Sequence, residues 1–451
     1  MTARFDVIVI GAGMAGIAAA NKCGAQGWRV AIVDSLPYGG TCALRGCDPK
    51  KILRRGAEII DASRLMRGKG IDEGQIRINW TDLMRHKRGF TDPAPANMEN
   101  DLRRHGVQTL HGQARFVDAH QISVGDDVHH TERFLVATGA RPRPLQFDGH
   151  EHLIDSTQFL DLEDLPPRIV FVGGGYISFE FAHIAARAGS HPIILDHGPR
   201  PLKGFDPDLV DLLIGRGAAA GVDVRASTTV TAVRATATGY QVQVNQDGTD
   251  ATIDADVVVH GAGRLPELAD LDLDRAGIAW SERGIRVQPH LQSTTQPPGV
   301  YAAGDAADTA GPPLTPVAVI EGKVAASNML KAASTVPDYT GIPSAVFTIP
   351  ELARVGLLEA EARDQGLNID VRYSDASTWY SSYRIGEGTA AAKILVNKDD
   401  DRIVGAHLLG PDYTEHANTI AVAIKLGLTT RQLKTTTAAY PTLGSDLGSM
   451  L

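Results

Sequence analysis

Two copies of one pattern constrain this chain more than any other feature in it. In "VIVIGAGMAGIAAANKCGAQGWRVAIVD" an apolar run leads into Gly11, Gly13 and Gly16, then a helical stretch, then a second apolar run ending at Asp34. In "IVFVGGGYISFEFAHIAARAGSHPIILD" the order returns with Gly173, Gly175 and Asp196, and Ser178 stands at the third glycine position. The acidic residue follows the first glycine by 23 positions in both copies. The first glycine permits a tight turn, the second lets the backbone approach a pyrophosphate, and a small third residue lets helix and strand pack closely. The helix N-terminus presents free N–H groups to phosphate, and the carboxylate accepts hydrogen bonds from a ribose diol. A single copy is weak; two copies imply two dinucleotides, one per domain. Asp196 would repel a ribose 2′-phosphate, which favours NADH, while the nearby Arg200 and Lys203 keep NADPH open.

A chain of 451 residues suggests about three domains at roughly 150 residues each. Short apolar runs such as "RVAIVD", "RIVFVGG" and "ADVVVHGAG" alternate with longer helical patterns, which predicts parallel sheets of βαβ units. A different style begins near residue 336, where "AKILVN" and "RIVGAHLLG" precede the helix-like "TEHANTIAVAIKLGL"; this reads as a separate α+β domain. The net charge of −9 is well mixed, against the basic stripe that a nucleic-acid surface needs. No apolar run approaches the roughly 20 residues of a membrane helix. The N-terminus lacks a basic n-region and enters "FDVIVIGAG" directly, so it reads as a strand and not a signal peptide. Three cysteines are no disulfide scaffold, and a cytoplasmic location is expected, where a disulfide is usually catalytic or redox-sensing.

Two of those cysteines, Cys42 and Cys47, sit in "GGTCALRGCDPKK". Their spacing alone leaves open a redox pair, a metal site or two neighbouring thiols. In a regular helix five residues rise about 7.5 Å, beyond the Cα separation of about 6.8 Å that a disulfide tolerates. The pair closes only on irregular backbone, which Gly39, Gly40 and Gly46 permit. Zinc would need about four ligands, and no second cysteine pair or nearby histidine supplies them, so no metal is expected. Arg45, Lys50 and Lys51 favour thiolate here, with Asp48 opposing them. Cys23, inside the first fingerprint helix, reads as a small buried apolar residue.

The loop "GGTCALRGCDPKK" resembles the active-site loop of the class I pyridine nucleotide–disulfide oxidoreductases, the family of glutathione reductase, dihydrolipoamide dehydrogenase and mercuric reductase. The resemblance covers nearly the whole chain. "FLVATGARPRP" (134–144), "GAGRLPE" (261–267), "GVYAAGDAA" (299–307), "LTPVA" (314–318) and "FTIPELARVGL" (347–357) are similar to further family segments. The implied fold is α/β, with two Rossmann-like domains and a C-terminal α+β dimerisation domain. The implied boundaries are 1–150 with 266–335 for FAD, 151–265 for NAD(P) and 336–451 for dimerisation. The flavin would be held by Gly11, Gly13, Gly16, Asp34, Gly40, Thr41, Lys51, Thr138, Gly139, Asp305, Thr315 and Ala318. The nicotinamide cofactor would be held by Gly173, Gly175, Tyr176, Ile177 and Asp196, with Gly263 at the return from its domain. The resemblance makes Cys42 the outer, exchanging thiol and Cys47 the thiol beside the flavin, with Lys51 paired to Glu180.

The pattern breaks near the C-terminus. The family's His-Pro-Thr segment and its glutamate are replaced in "AAYPTLGSDLG", where Tyr440 takes the histidine position, Ser445 the glutamate position and Asp446 lies one residue later. Imidazole titrates near neutrality, whereas a phenol titrates near 10 and is a poor general base at neutral pH. Efficient dithiol oxidation is therefore disfavoured, and His416 is a substitute only if it reaches the site. The mercuric-reductase C-terminal cysteine pair is also missing from "GSDLGSML". The expectation is a homodimeric FAD enzyme passing a hydride from NAD(P)H through flavin to Cys42–Cys47, which then reduces a disulfide or another small thiol-reactive acceptor. Tyr440 would act across the dimer. The rivals are direct flavin-mediated reduction of quinones or metal ions, and a non-catalytic redox-sensing flavoprotein.

Overall fold

The computed structural model describes residues 3–72, 74, 76–295, 299–332 and 334–451. The chain divides into two compact units, one of residues 1–50, 85–143 and 263–339, the other of residues 51–84, 144–262 and 340–451.

The first unit is built on a five-stranded parallel sheet in the order Val300–Ala302, Phe134–Val136, Val7–Ile10, Val30–Asp34, Val107–His111. These strands are almost continuously apolar because both faces are covered, as parallel sheets require. Val7 and Val9 pack with Ala15, Ala19 and Ala325 on one side. Ile8 and Ile10 pack with Phe116, Phe134 and Ile285 on the other. A smaller sheet joins Ala3–Phe5 to the meander Ala114–Asp118, Gln121–Val124, Asp127–Thr131. The helix Met14–Gly24 follows the central strand and packs against the helix Thr315–Lys331. Small residues allow this: a Cβ on Gly322 would lie 2.2 Å from the Ala15 carbonyl oxygen.

The second unit repeats the plan. Its parallel sheet runs Asp223–Arg225, His191–Leu195, Arg168–Val172, Val257–His260, with the helix Tyr176–Ala188 after the central strand. An antiparallel three-stranded sheet spans Thr228–Ala255. The C-terminal part holds a five-stranded antiparallel sheet, Ser344–Val346, Glu351–Gly356, Arg402–Gly410, Ala391–Asn397, Ile369–Asp375. The helix Tyr413–Leu426 covers it through Tyr413, Ala417 and Ile420. No helix among the described residues is long and apolar enough to cross a membrane.

Candidate active site

The first fingerprint forms a tight turn between strand and helix. Gly11 has φ +105, and a Cβ there would lie 2.3 Å from the Ala137 carbonyl oxygen. Gly16 comes so close to the turn that its Cβ would lie 1.9 Å from the Gly11 carbonyl oxygen, whereas a Cβ on Gly13, the helix N-cap, would meet open space. Asp34 accepts from the Ala12 amide at 2.7 Å and from the Leu36 amide at 2.8 Å, and so ties the end of its strand to the glycine turn.

The cysteine loop is seated on that turn. The Gly39 amide donates to the Ala12 carbonyl at 2.9 Å. Gly40 has φ +62, and a Cβ on it would lie 2.6 Å from Gly13 Cα. Thr41–Arg45 then forms one π-type turn before the helix Cys47–Leu65 begins. An i→i+5 turn brings residues five apart onto one side of the backbone, which resolves the spacing problem posed by a regular helix. Both cysteines are free thiols, Cys42 half-buried and Cys47 exposed, and Cys42 hydrogen-bonds Cys47. That contact, then burial, then the Cys47 charge push the Cys42 thiol up, with Asp48 adding to the shift and Thr315 opposing it. The leading influences on the Cys42 thiol come from Cys47, burial, Thr315 and Asp48, and Lys50 acts on Asp48, whose carboxyl burial raises.

Cys47 Sγ lies 3.7 Å from Thr315 Oγ1. Thr315 opens the helix Thr315–Lys331, whose first turn has no side-chain cap, so unpaired N–H groups and the positive end of the helix dipole lie beside the thiol. Ala318 is half-buried one turn on, against Gly304. Asp305 follows Gly304, and burial raises its carboxyl with only partial compensation from Arg264. Thr138 Oγ1 is buried with no hydrogen-bond partner, Gly139 has φ +75 and Gly263 φ +102. An orphaned hydroxyl, a buried carboxylate, an uncapped helix and an open N-cap fit a dinucleotide with a polar chain and an anionic centre.

In the second unit, Gly173 repeats φ +105, and a Cβ there would lie 2.6 Å from Ala262 Cα. Gly175 is the N-cap of the helix that starts at Tyr176 and Ile177. Ser178 is fully buried against Gly261, and its hydroxyl has no hydrogen-bond partner. Asp196 is buried, accepts from the Gly198 amide at 3.2 Å and lies 3.5 Å from the His197 ring. Tyr176 packs edge-on against Phe205 and hydrogen-bonds Ser344 Oγ at 3.0 Å.

Lys51 and Glu180 converge on Phe347. The Lys51 amine lies 3.6 Å from the Phe347 ring centroid and 3.9 Å from Glu351 Oε1. Glu180, 4% exposed, accepts from the Phe347 amide at 2.8 Å. Glu351 is held in turn by Arg54 at 3.2 Å and by Thr414. Phe347 and Glu351 went unnoticed as neighbours of Lys51 in the sequence; the charged residue in the apolar "IPELA" was the available signal.

Tyr440 is 83% exposed, and Asp446 hydrogen-bonds Ser381. His416 is buried against the Tyr413 ring, and burial lowers its pKa. Cys23 is fully buried, with its thiol pushed up to about 12.

Residues 5–322 match the pyridine nucleotide–disulphide oxidoreductase family, and residues 342–450 match its dimerisation domain. The chain belongs to this family. It is 34% identical to a glutathione reductase of Burkholderia cepacia over 98% of this chain and 97% of the relative. It is 31% identical to a dihydrolipoyl dehydrogenase of Bacillus subtilis over 97% and 94%. Among solved structures, it is similar to the HOCl-induced flavoprotein disulfide reductase RclA of Escherichia coli. The Cu(II) complex of a cysteine-to-serine mutant of RclA superposes with a TM-score of 0.89 at 26% identity, covering 100% of this chain and 99% of that one. The Cu(II) complex without that substitution gives 0.88 at 27% identity, covering 99% and 98%. As a pyridine nucleotide–disulphide oxidoreductase, the chain is an NAD(P)H-dependent flavoprotein that reduces through a disulfide, using FAD and a pyridine nucleotide.

Proposed function

We propose that this oxidoreductase acts as a homodimer, takes its electrons from NADH, and delivers them through Cys42 and Cys47 to a small oxidant that needs no histidine base, with Cu(II) as the favoured acceptor. The observation that carries this is Tyr440, an exposed phenol at the position of the acid–base histidine, together with the similarity to RclA, solved as a Cu(II) complex.

Bound FAD supplies the two-electron relay between a nicotinamide and the disulfide. The chain's own residues do the rest. The turn at Gly11, Gly13 and Gly16 receives the pyrophosphate, and Asp34, Thr138 and Asp305 offer partners to its sugars and ribityl chain. Glu180 fixes the Phe347 amide, and Lys51 lies over that ring, so the ammonium is held by packing as well as by charge. The N-terminus at Thr315 stabilises negative charge on Cys47. Asp196 accepts the ribose hydroxyls of NADH and repels a 2′-phosphate.

One NADH and one proton convert the Cys42–Cys47 disulfide to two thiols and release NAD+. Two Cu(II) ions then take one electron each, leave as Cu(I), and the S–S bond reforms with release of two protons. No proton has to be delivered to a leaving thiolate, which is the work a histidine does in disulfide exchange. Loss of such a group costs about 10²- to 10⁴-fold, so glutathione disulfide and lipoamide are expected to be poor acceptors.

The test is steady-state oxidation of NADH and NADPH with Cu(II), glutathione disulfide and lipoamide. Faster turnover with NADH and Cu(II), abolished by Cys42→Ser with Cys47→Ser, is expected. Glutathione disulfide as the best acceptor would refute the Cu(II) assignment. Full Cu(II) turnover in the double variant would establish direct flavin chemistry instead.

A further inference from the structure

Glu321 lies within the apolar stretch "VAVIEGKVAA", seven positions from Leu314, and is 1% exposed. Both of its oxygens are nonetheless hydrogen-bonded. One oxygen accepts from the Gly304 amide at 2.7 Å. The other accepts from Thr309 Oγ1 at 2.8 Å and from the Tyr339 hydroxyl at 2.6 Å. Thr309 in turn accepts from the Gly311 amide at 3.3 Å. Gly311 packs so closely that a Cβ there would lie 2.7 Å from the Tyr339 ring and 3.0 Å from Glu321 Oε1.

These partners cover the loop between Asp305 and Thr315. Gly304 precedes Asp305, while Glu321 sits on the helix that opens at Thr315, 3.7 Å from Cys47 Sγ. The next residue, Gly322, lets that helix touch Ala15 of the first fingerprint helix. A buried carboxylate is costly unless it is hydrogen-bonded; burial raises the Glu321 carboxyl, its three hydrogen bonds oppose the shift, and a second carboxylate at Asp305 adds to it. A helix that needed only packing would carry a leucine here.

We propose that Glu321 is a positioning residue that locks the Asp305 turn to the helix presenting Thr315, so that flavin and Cys47 are held in one geometry. This rests on the flavin site proposed above. The partners fix what each substitution does. In Glu321→Gln the carbonyl still accepts from the Gly304 amide, and the NH2 donates to the Thr309 and Tyr339 hydroxyls, which can reverse their roles. In Glu321→Ala the amide and both hydroxyls lose their acceptor.

The experiment uses the FAD-loaded protein. It follows FAD release by flavin fluorescence and, after anaerobic reduction with NADH, the long-wavelength absorbance of a thiolate beside flavin per bound FAD. Glu321→Ala is expected to release FAD at least about tenfold faster, the equivalent of one lost charge-assisted hydrogen bond, and to weaken the absorbance. Glu321→Gln is expected to stay within about threefold of the wild type. Tyr339→Phe, which removes a single donor, should fall between them and serves if Glu321→Ala does not fold. Release from Glu321→Ala or Tyr339→Phe at the wild-type rate, or Gln as damaging as Ala, would overturn the assignment. Absence of the long-wavelength band in the wild type would overturn the proposed electron path, while the release rates still decide Glu321.

Discussion

At Cys42 the thiol is pushed up first by its hydrogen bond to Cys47, then by burial, then by charge on Cys47 and Asp48. Removing either neighbour therefore lowers the pKa and raises the thiolate fraction, the nucleophilic form. In the reduced protein at pH 7.5, Cys47→Ser and Asp48→Asn are each expected to speed alkylation of Cys42 by iodoacetamide, followed by mass spectrometry of the labelled peptide. The rate for the parent dithiol should keep climbing from pH 7 to 9, because a raised pKa leaves the thiol mostly protonated across that window. A plateau below pH 8 would contradict the assigned environment. The glycine turns, the acidic strand ends and the cysteine loop were legible in the sequence because the spacings that mark them are short. The direction of the Cys42 shift was not, because it depends on which charges reach the sulfur after folding. The three basic residues nearby in sequence suggested the opposite sign.

At the scale of elements, the helix Cys47–Leu65 is anchored near its far end by charge. Asp61 accepts from Arg187 at 2.8 Å and from Arg216 at 2.7 Å. Arg187 has a fully buried side chain and also donates to the Ile349 carbonyl, and Arg216 reaches Glu387 at 3.1 Å. Asp61→Ala would leave the buried Arg187 guanidinium without its carboxylate while Arg216 keeps Glu387, and unpairing a buried ion typically costs about 3–5 kcal/mol. Urea denaturation of the parent and the variant measures this; a loss below about 1 kcal/mol would contradict it. The Rossmann strands were readable because parallel, doubly covered strands are apolar throughout. The hairpin "TTVTAVRAT"–"GYQVQVNQ" carries a different signal, the period-2 alternation of a half-buried antiparallel pair, which a search for continuous apolar runs passes over. The π-type turn at Thr41–Arg45 leaves no periodicity over a single turn; only the surrounding glycines hinted that a regular helix would fail there.

At the scale of the whole molecule, the dimerisation-domain match predicts a sedimentation mass twice the 48.0 kDa of one chain, and a monomer at micromolar concentration would contradict it. Tyr440 is too exposed to contribute to the fold of its own chain. Tyr440→Phe is expected to shift unfolding by less than about 0.5 kcal/mol and, because no proton is delivered to a leaving thiolate, to leave Cu(II)-dependent turnover within about twofold. A tenfold loss of turnover would contradict an acceptor step that needs no proton donor. That Tyr440 precedes Pro441 and Thr442, where the family resemblance implies a histidine, is read from the sequence alone. The burial of His416 needed the fold.

The central claim is that electrons from the nicotinamide arrive on Cys42 and Cys47. Anaerobic reduction of the FAD-loaded protein with NADH, followed by thiol counting under denaturing conditions, tests it most directly. Two new thiols per chain, absent in the Cys42→Ser, Cys47→Ser variant, are predicted. Full bleaching of the flavin with no new thiols would contradict the account.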